Sequence, residues 1–162
     1  MKVKDVVIED FVNYKKPSMF VITPYCSMKC NQEQGKIVCQ NYDLLNMPNL
    51  ELSNDRLCEL YLTNPITKAV VFGGLEPLDS FFELLEFIEC LRIKNNCNDD
   101  IVIYTGFYPE EISDKLEILK QFKNIIIKFG RFIPDQEEHF DEVLGVKLLG
   151  KQQFAQLISK DS

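Results

Sequence analysis

Residues 18–41 read SMFVITPYCSMKCNQEQGKIVCQN, a short apolar segment followed directly by a loop that carries three cysteines. The apolar residues are mainly β-branched or aromatic and nearly continuous, which predicts a buried strand over residues 18–23. Cys26, Cys30 and Cys39 have the spacing C-x3-C-x8-C and lie among lysine, asparagine, glutamine and glycine. Because a structural free cysteine behaves as a small apolar residue of the core, three cysteines in a polar loop indicate metal binding.

The composition is that of a globular protein with one core. The chain has 162 residues, of which 46% are hydrophobic and 27% charged, so we expect a single domain over residues 1–162. No apolar run approaches the roughly 20 residues that cross a bilayer, and the charged start MKVKDVVIEDF does not read as a signal peptide. We therefore expect a cytoplasmic protein without a membrane partner, whose thiols stay reduced. The net charge of −7 argues against nucleic acid as a partner, because a phosphate backbone would be repelled.

Predicted strands and helices alternate along the chain. Further apolar segments predict strands over 68–72, 101–104 and 124–129, with two weaker candidates over 144–148 and 154–158. Helical patterns lie between the strands: one over 53–62, one that begins with the capping box SFFE at 80–83, and one from Pro109 to about Phe122.

This alternation predicts an α/β fold with a mostly parallel sheet. Ligands of such sheets bind beyond the carboxyl ends of the strands. The cysteine loop and the pair Gly73-Gly74 both follow a predicted strand, so we expect them at the same edge of the sheet.

The spacing of the cysteines leaves the identity of the metal open. A structural zinc site usually has four ligands, and so does an iron–sulfur cluster. The loop supplies three thiols, and the only histidine, His139, lies far along the chain. With three cysteines, one iron of a cluster would have no protein ligand. Of the remaining cysteines, Cys58 and Cys90 are expected to be buried on helix faces and Cys97 to lie in a polar loop.

A second motif follows the second predicted strand, where residues 71–78 read VFGGLEPL. Adjacent glycines allow a backbone to approach a ligand without a Cβ in between. Glu76 offers a carboxylate that can accept hydrogen bonds from an amino group of a ligand. An ordinary strand-to-helix turn would explain this motif equally well if it stood alone.

Together, the cysteine loop and the glycine motif resemble the radical S-adenosylmethionine (SAM) enzymes. The resemblance is closest to the activating proteins of anaerobic ribonucleotide reductase, especially their short clostridial and phage relatives of the 4Fe-4S cluster-binding type. It implies a partial (βα) barrel that holds a [4Fe-4S] cluster and SAM, with SAM bound to the unique iron through its amino and carboxylate groups. The implied cluster ligands are Cys26, Cys30 and Cys39, and the residues implied around the amino group of SAM are Gly73, Gly74 and Glu76.

Further segments carry the same resemblance. Asn41 follows the last cysteine by two residues, residues 104–107 read YTGF, and residues 150–153 read GKQQ before the final predicted strand. The resemblance thereby implies further cofactor-binding residues, namely Asn41, Tyr104, Thr105 and Gly106.

The chain differs from the activators at three places. Their cysteines have the spacing C-x3-C-x2-C, whereas six residues are inserted here before Cys39; Gly35 predicts a compact excursion that returns the thiol. Their GGEP motif has gained Leu75. Their fourth strand ends in Asp-Gly-Pro-Phe, whereas residues 128–132 read KFGRF without the acid.

The resemblance implies an oxidoreductase that cleaves SAM reductively to methionine and a 5′-deoxyadenosyl radical. The radical would activate a glycyl radical enzyme such as anaerobic ribonucleotide reductase, with flavodoxin or ferredoxin as electron donor. No general base is required, and no catalytic side chain is assigned. Two alternatives remain: a non-catalytic iron–sulfur or zinc protein that retains the fold, and a radical SAM enzyme that acts on a small molecule such as a nucleotide.

Overall fold

The computed structural model describes residues 1–159. The strands are β1 (Lys2–Val3), β2 (Asp5–Asp10), β3 (Ser18–Ile22), β4 (Leu50–Glu51), β5 (Ala69–Gly73), β6 (Asp100–Tyr104), β7 (Ile125–Phe129), β8 (Glu138–Asp141), β9 (Val146–Leu149) and β10 (Phe154–Leu157). The α-helices are α1 (Lys29–Gln34), α2 (Asn54–Leu62), α3 (Phe81–Glu89) and α4 (Ser113–Leu119). Short 3-10 turns span Tyr42–Asn46, Pro77–Ser80 and Pro109–Glu111, and α3 continues as a π-helical turn over Cys90–Lys94.

A six-stranded sheet in the order β10-β7-β6-β5-β3-β2 forms the centre of the molecule. The four inner strands β3, β5, β6 and β7 are parallel to one another, and the outer strands β2 and β10 pair with them in the antiparallel sense. This arrangement confirms the predicted α/β fold with a mostly parallel sheet. Within residues 1–159, β2 and β10 form open edges, so the sheet does not close into a barrel.

The two faces of the sheet are covered differently. Successive residues of a strand point to opposite faces, so Phe72 packs in the core with the helices whereas its neighbour Val71 packs on the other side. The helix-covered face is closed by α2, α3 and α4, and the rings of Phe72 and Phe87 meet edge to face at 5.2 Å. On the other face, Leu144 and Leu148 from the β8–β9 hairpin pack on the sheet. Burial on both faces explains why the inner strands are continuously apolar.

The predicted helix over 53–62 is confirmed, and Ser53 caps it by accepting a hydrogen bond from the Arg56 amide at 3.1 Å. The predicted capping box at Ser80 is wrong. The chain already turns from Pro77 onward, and Glu76 caps that turn by accepting from the Leu78 amide at 3.0 Å. Ser80 therefore lies between two helical segments, and its hydroxyl is buried without a hydrogen-bond partner in the described part of the chain.

The helix predicted from Pro109 to Phe122 is shorter and divided. Pro109 opens a 3-10 turn, Ile112 leaves helical geometry at φ −133° and ψ 29°, and α4 then runs only to Leu119. Ile112 is 2% exposed, so its burial in the core accompanies this break. Both weak strand candidates of the tail correspond to observed strands, β9 and β10.

None of the helices within residues 1–159 has the length and apolar content of a membrane span.

Candidate metal centre

A cavity of about 690 Å³ lies at the carboxyl ends of the parallel strands. Gly73, at the end of β5, is the one predicted site residue that does not line it; a Cβ there would lie 3.1 Å from the Phe20 ring, so this glycine serves close packing. All other predicted site residues line the cavity: Cys26, Cys30, Cys39, Asn41, Gly74, Glu76, Tyr104, Thr105 and Gly106.

The inserted residues of the cysteine loop fold compactly. They form most of α1, which ends at Gly35 with φ 66°, a left-handed conformation that favours glycine. The side-chain carbonyl of Asn31 then accepts hydrogen bonds from the amides of Val38 at 2.7 Å and Cys39 at 2.9 Å. These two bonds close the excursion, and Cys39 returns to the same cavity as Cys26 and Cys30.

Two of the three thiols accept hydrogen bonds from backbone amides. Cys26 accepts from Met28 and Cys30 from Phe132, each at 3.3 Å. Burial raises the pKa of Cys26 to about 12 and also raises the pKa of Cys30. Both thiols are therefore protonated at neutral pH, and a metal that binds them displaces the protons.

The part of the chain that the structure describes contains no preformed site for a single metal ion. Zinc holds its sulfur ligands at about 2.3 Å, so it requires them to converge on one point. Within residues 1–159, no three histidine, cysteine or acidic side chains converge in this way. The three cysteines instead border a common cavity.

Glu76 is a buried acid of the cavity, only 6% exposed, whereas Glu138, which also lines the cavity, is exposed. Its carboxylate accepts hydrogen bonds from the Leu78 amide at 3.0 Å, the Thr105 hydroxyl at 2.8 Å and the Gly106 amide at 2.8 Å. Burial raises the pKa of Glu76 to about 7, although these three donors lower it. A carboxylate has about four acceptor positions, so about one remains for a ligand.

The glycine motif is fixed against the cysteine loop. Gly74 has φ +82°, and a Cβ there would lie 2.6 Å from a methyl group of Ile22, so this position requires glycine. The Glu76 amide donates to the Tyr25 carbonyl at 2.8 Å, and the carboxylate of Asp79 accepts from the Ser27 amide at 2.8 Å. The additional Leu75 is buried, 6% exposed, and Glu76 still lines the cavity.

A family model for a 4Fe-4S single cluster domain matches residues 17–149. The chain belongs to this family. The match begins just before β3, ends with β9 and includes all three cysteines of the loop. Of the two metals that the spacing left open, the family favours the iron–sulfur cluster over zinc. Comparison with curated proteins finds no match, and comparison with solved structures finds none either.

The YTGF segment, residues 104–107 of this 4Fe-4S domain, mainly forms hydrogen bonds and packing contacts with other residues of the site. The hydroxyl and the amide that hold Glu76 come from Thr105 and Gly106. A Cβ on Gly106 would lie 3.6 Å from Glu76 Oε2 and 4.0 Å from Cys30 Sγ, so this glycine lies between the acid and a cysteine. The Tyr104 hydroxyl donates to the Asn13 carbonyl.

Two basic residues of the site were not predicted. Lys128, near the end of β7, lines the cavity and is 7% exposed. Arg131 is also 7% exposed. Its guanidinium donates two hydrogen bonds to the Glu33 carboxylate, at 2.8 and 2.9 Å. It also donates to Glu111 Oε2 and to the Gly106 carbonyl, each at 2.8 Å. The only signal in the sequence was the departure of KFGRF from the family pattern, which marked the segment without assigning a role.

The remaining cysteines lie away from the cavity lining. Cys58 and Cys90 belong to the core, as predicted, with exposures of 2% and 9%. Cys97 is partly buried and packs against the same core, and its amide donates to the Leu91 carbonyl at 3.0 Å.

Proposed function

We propose that this 4Fe-4S domain is a radical SAM enzyme, an oxidoreductase that activates a glycyl radical enzyme such as anaerobic ribonucleotide reductase. When bound, the cluster would supply the electron that splits SAM into methionine and a 5′-deoxyadenosyl radical. The observation that supports the proposal is the shared cavity, which brings the three loop cysteines and Glu76 to one end of the parallel strands. In open α/β sheets this end is where ligands bind.

The cysteine loop would hold the cluster through Cys26, Cys30 and Cys39. Three thiols leave one iron open to the ligand, which is the coordination that SAM chelation requires. Burial raises the pKa of both Cys26 and Cys30, and the amide hydrogen bonds from Met28 and Phe132 oppose that effect. These neighbours favour the thiolate, the form that binds iron.

Glu76 would bind the amino group of SAM with its remaining acceptor position. Thr105 and Gly106 fix the orientation of the carboxylate, so the side chain loses little conformational freedom when the ligand binds. Gly74 presents bare backbone to the cavity, which allows close approach of the methionyl group.

The open edges of the sheet are consistent with a protein substrate. A partial barrel of the radical SAM type would leave one side accessible, and a loop of a glycyl radical enzyme could enter there. In this proposal the whole chain acts as one domain and receives its electron from flavodoxin or ferredoxin.

Anaerobic reconstitution with iron and sulfide, followed by reduction in the presence of SAM, tests the function. We expect about four iron and four sulfide ions per chain, and methionine and 5′-deoxyadenosine as products detected by chromatography. Cys39→Ala serves as the inactive variant and Cys97→Ala as the matched control outside the cavity. Full cluster content without either product would reject the enzyme.

That result would favour the second candidate, a non-catalytic iron–sulfur protein. One observation supports this candidate. The segment 128–132, in which the activators carry an acid, here contains Arg131, which forms an ion pair with Glu33 of the cysteine loop. Turnover of a nucleotide together with SAM cleavage, and no radical on any glycyl radical enzyme, would instead indicate a small-molecule substrate.

A further inference from the structure

Lys128 holds a buried ammonium group at the wall of the cavity. Its Nζ donates to the Gly130 carbonyl at 3.1 Å, which is its only hydrogen bond to residues 1–159. No carboxylate of those residues lies within 4.0 Å of the ammonium, although the side chain is one of the least exposed in the site. An ammonium group has three donors, so two of them have no acceptor among the described residues.

A buried cation without an ion pair is costly. Burial lowers the pKa of Lys128 to about 8, and the nearby negative charges of Glu76 and of a Cys30 thiolate oppose that effect. The ring of Tyr104, with its centroid 5.8 Å from Nζ, provides only a weak additional attraction. An anionic group in the cavity would both pair the charge and fill the free donor positions.

The other basic groups near the cavity are accounted for. The guanidinium of Arg131 is used by two carboxylates and the Gly106 carbonyl. Lys147 also lines the cavity, but it is exposed, so water solvates and screens its charge. Lys128 is therefore the cation best placed to bind an anion in the enclosed part of the site.

Glu76 and Lys128 present opposite charges to the same cavity, and each has hydrogen-bonding capacity left. A ligand that satisfies both has an ammonium group and a carboxylate on one small unit, which describes an α-amino acid moiety. We propose that Lys128 binds the carboxylate of such a moiety while Glu76 binds its amino group. This inference rests on the proposed function, in which the moiety is the methionyl end of SAM. It also assigns a role to the end of β7, where the activators carry an acid and this chain carries Lys128.

A double-mutant type of binding cycle tests the inference. One change removes the positive charge of Lys128 from the protein, and the other removes the carboxylate from the ligand. SAM and its decarboxylated analogue are titrated into the anaerobically reconstituted protein without reductant, with isothermal calorimetry as the readout. Lys128→Met is expected to weaken SAM binding by roughly 10- to 100-fold, the range of a charge-assisted hydrogen bond, and to leave binding of the analogue unchanged. Lys128→Arg should retain most of the affinity for SAM, and Lys147→Met, the matched control, all of it.

Equal weakening of both ligands by Lys128→Met would overturn the inference, because it would indicate a structural role only. Thermal melting verifies that each variant is folded, and Lys128→Gln replaces Lys128→Met if the latter is not. The proposed function is tested separately. If Lys128→Met weakens the binding of SAM but not that of the analogue, and reduction yields no 5′-deoxyadenosine, only the enzyme activity is rejected. If SAM is cleaved and the cycle shows no difference, only the role of Lys128 is rejected.

Discussion

Arg131 connects the helix that carries Cys30 to the rim of the sheet, and its removal should loosen the candidate metal centre. Its guanidinium bridges Glu33 on α1, Glu111 in the 3-10 turn and the carbonyl of Gly106 after β6. The side chain is 9% exposed. Arg131→Met keeps much of the apolar volume and removes every one of these bonds.

The expected cost follows from how well water can replace each bond. The Glu33 side chain is 46% exposed, so its pair contributes about 1 kcal/mol or less. The Glu111 side chain is 24% exposed, and hydrogen bonds to charged groups contribute about 1.5–3 kcal/mol when they are sheltered. Because Glu111 partly regains water in the variant, we expect Arg131→Met to lower the free energy of unfolding by about 2–3 kcal/mol.

Urea unfolding of the cluster-free protein measures this difference, since a bound cluster would add its own stabilisation. Arg56→Met is the matched control: the pair of Arg56 with Glu59 is exposed, 53% and 61%, and should contribute less than about 0.5 kcal/mol. Arg131→Lys should fall between the two, because lysine cannot reproduce the two-pronged contact. An equal effect of Arg131→Met and Arg56→Met would refute the reasoning.

Four further predictions concern the cavity and its surroundings. Single alanine variants of the loop cysteines Cys26, Cys30 and Cys39 should lose the brown chromophore of the reconstituted protein. Variants of the other three, Cys58, Cys90 and Cys97, should keep it, and visible absorbance measures the difference. Glu76→Gln should weaken SAM binding while iron content stays unchanged; equal SAM affinity in equilibrium dialysis would contradict the role of this acid. Arg131 lowers the pKa of Glu111 from 4.5 to about 2, so the stability that this pair provides is present above pH 4.5 and is lost as the pH falls toward 2. The stability difference between wild type and Arg131→Met should shrink over that interval in unfolding experiments at several pH values. Gly130→Ala should destabilise the fold by more than about 2 kcal/mol, because φ is +106° and a Cβ would overlap the carbonyl oxygen of Gln152. A melting temperature equal to that of wild type would contradict this.

The inner strands were predictable because their burial is uniform. Residues 18–23, 68–72, 101–104 and 124–129 are continuous apolar segments, and the observed strands begin and end within about one residue of them. The edge strand β2, DVVIED, was missed because it is mostly exposed and only three apolar residues lie between its acidic ends. The capping residue of α3 was misassigned because the position of a cap depends on where the chain starts to turn, and Pro77 starts that turn upstream of Ser80.

The sequence by itself determined which segments meet. Parallel strands end at the same edge of a sheet, so the cysteine loop, the glycine motif and the YTGF segment had to lie together once the strands were assigned. The family of 4Fe-4S domains is likewise a property of the sequence. The roles of the individual cysteines and of the SAM-binding residues remain predictions.

Only the tertiary structure decided which charges in the site are paired. Glu76 is held by residues 29 and 30 positions further along the chain, and Arg131 binds Glu33 across 98 positions. Over residues 1–159, Lys128 has one carbonyl partner, and it borders the cavity. The pKa of a side chain and its free hydrogen-bonding capacity depend on burial and on neighbours that are distant in sequence, and no local pattern of residues records them.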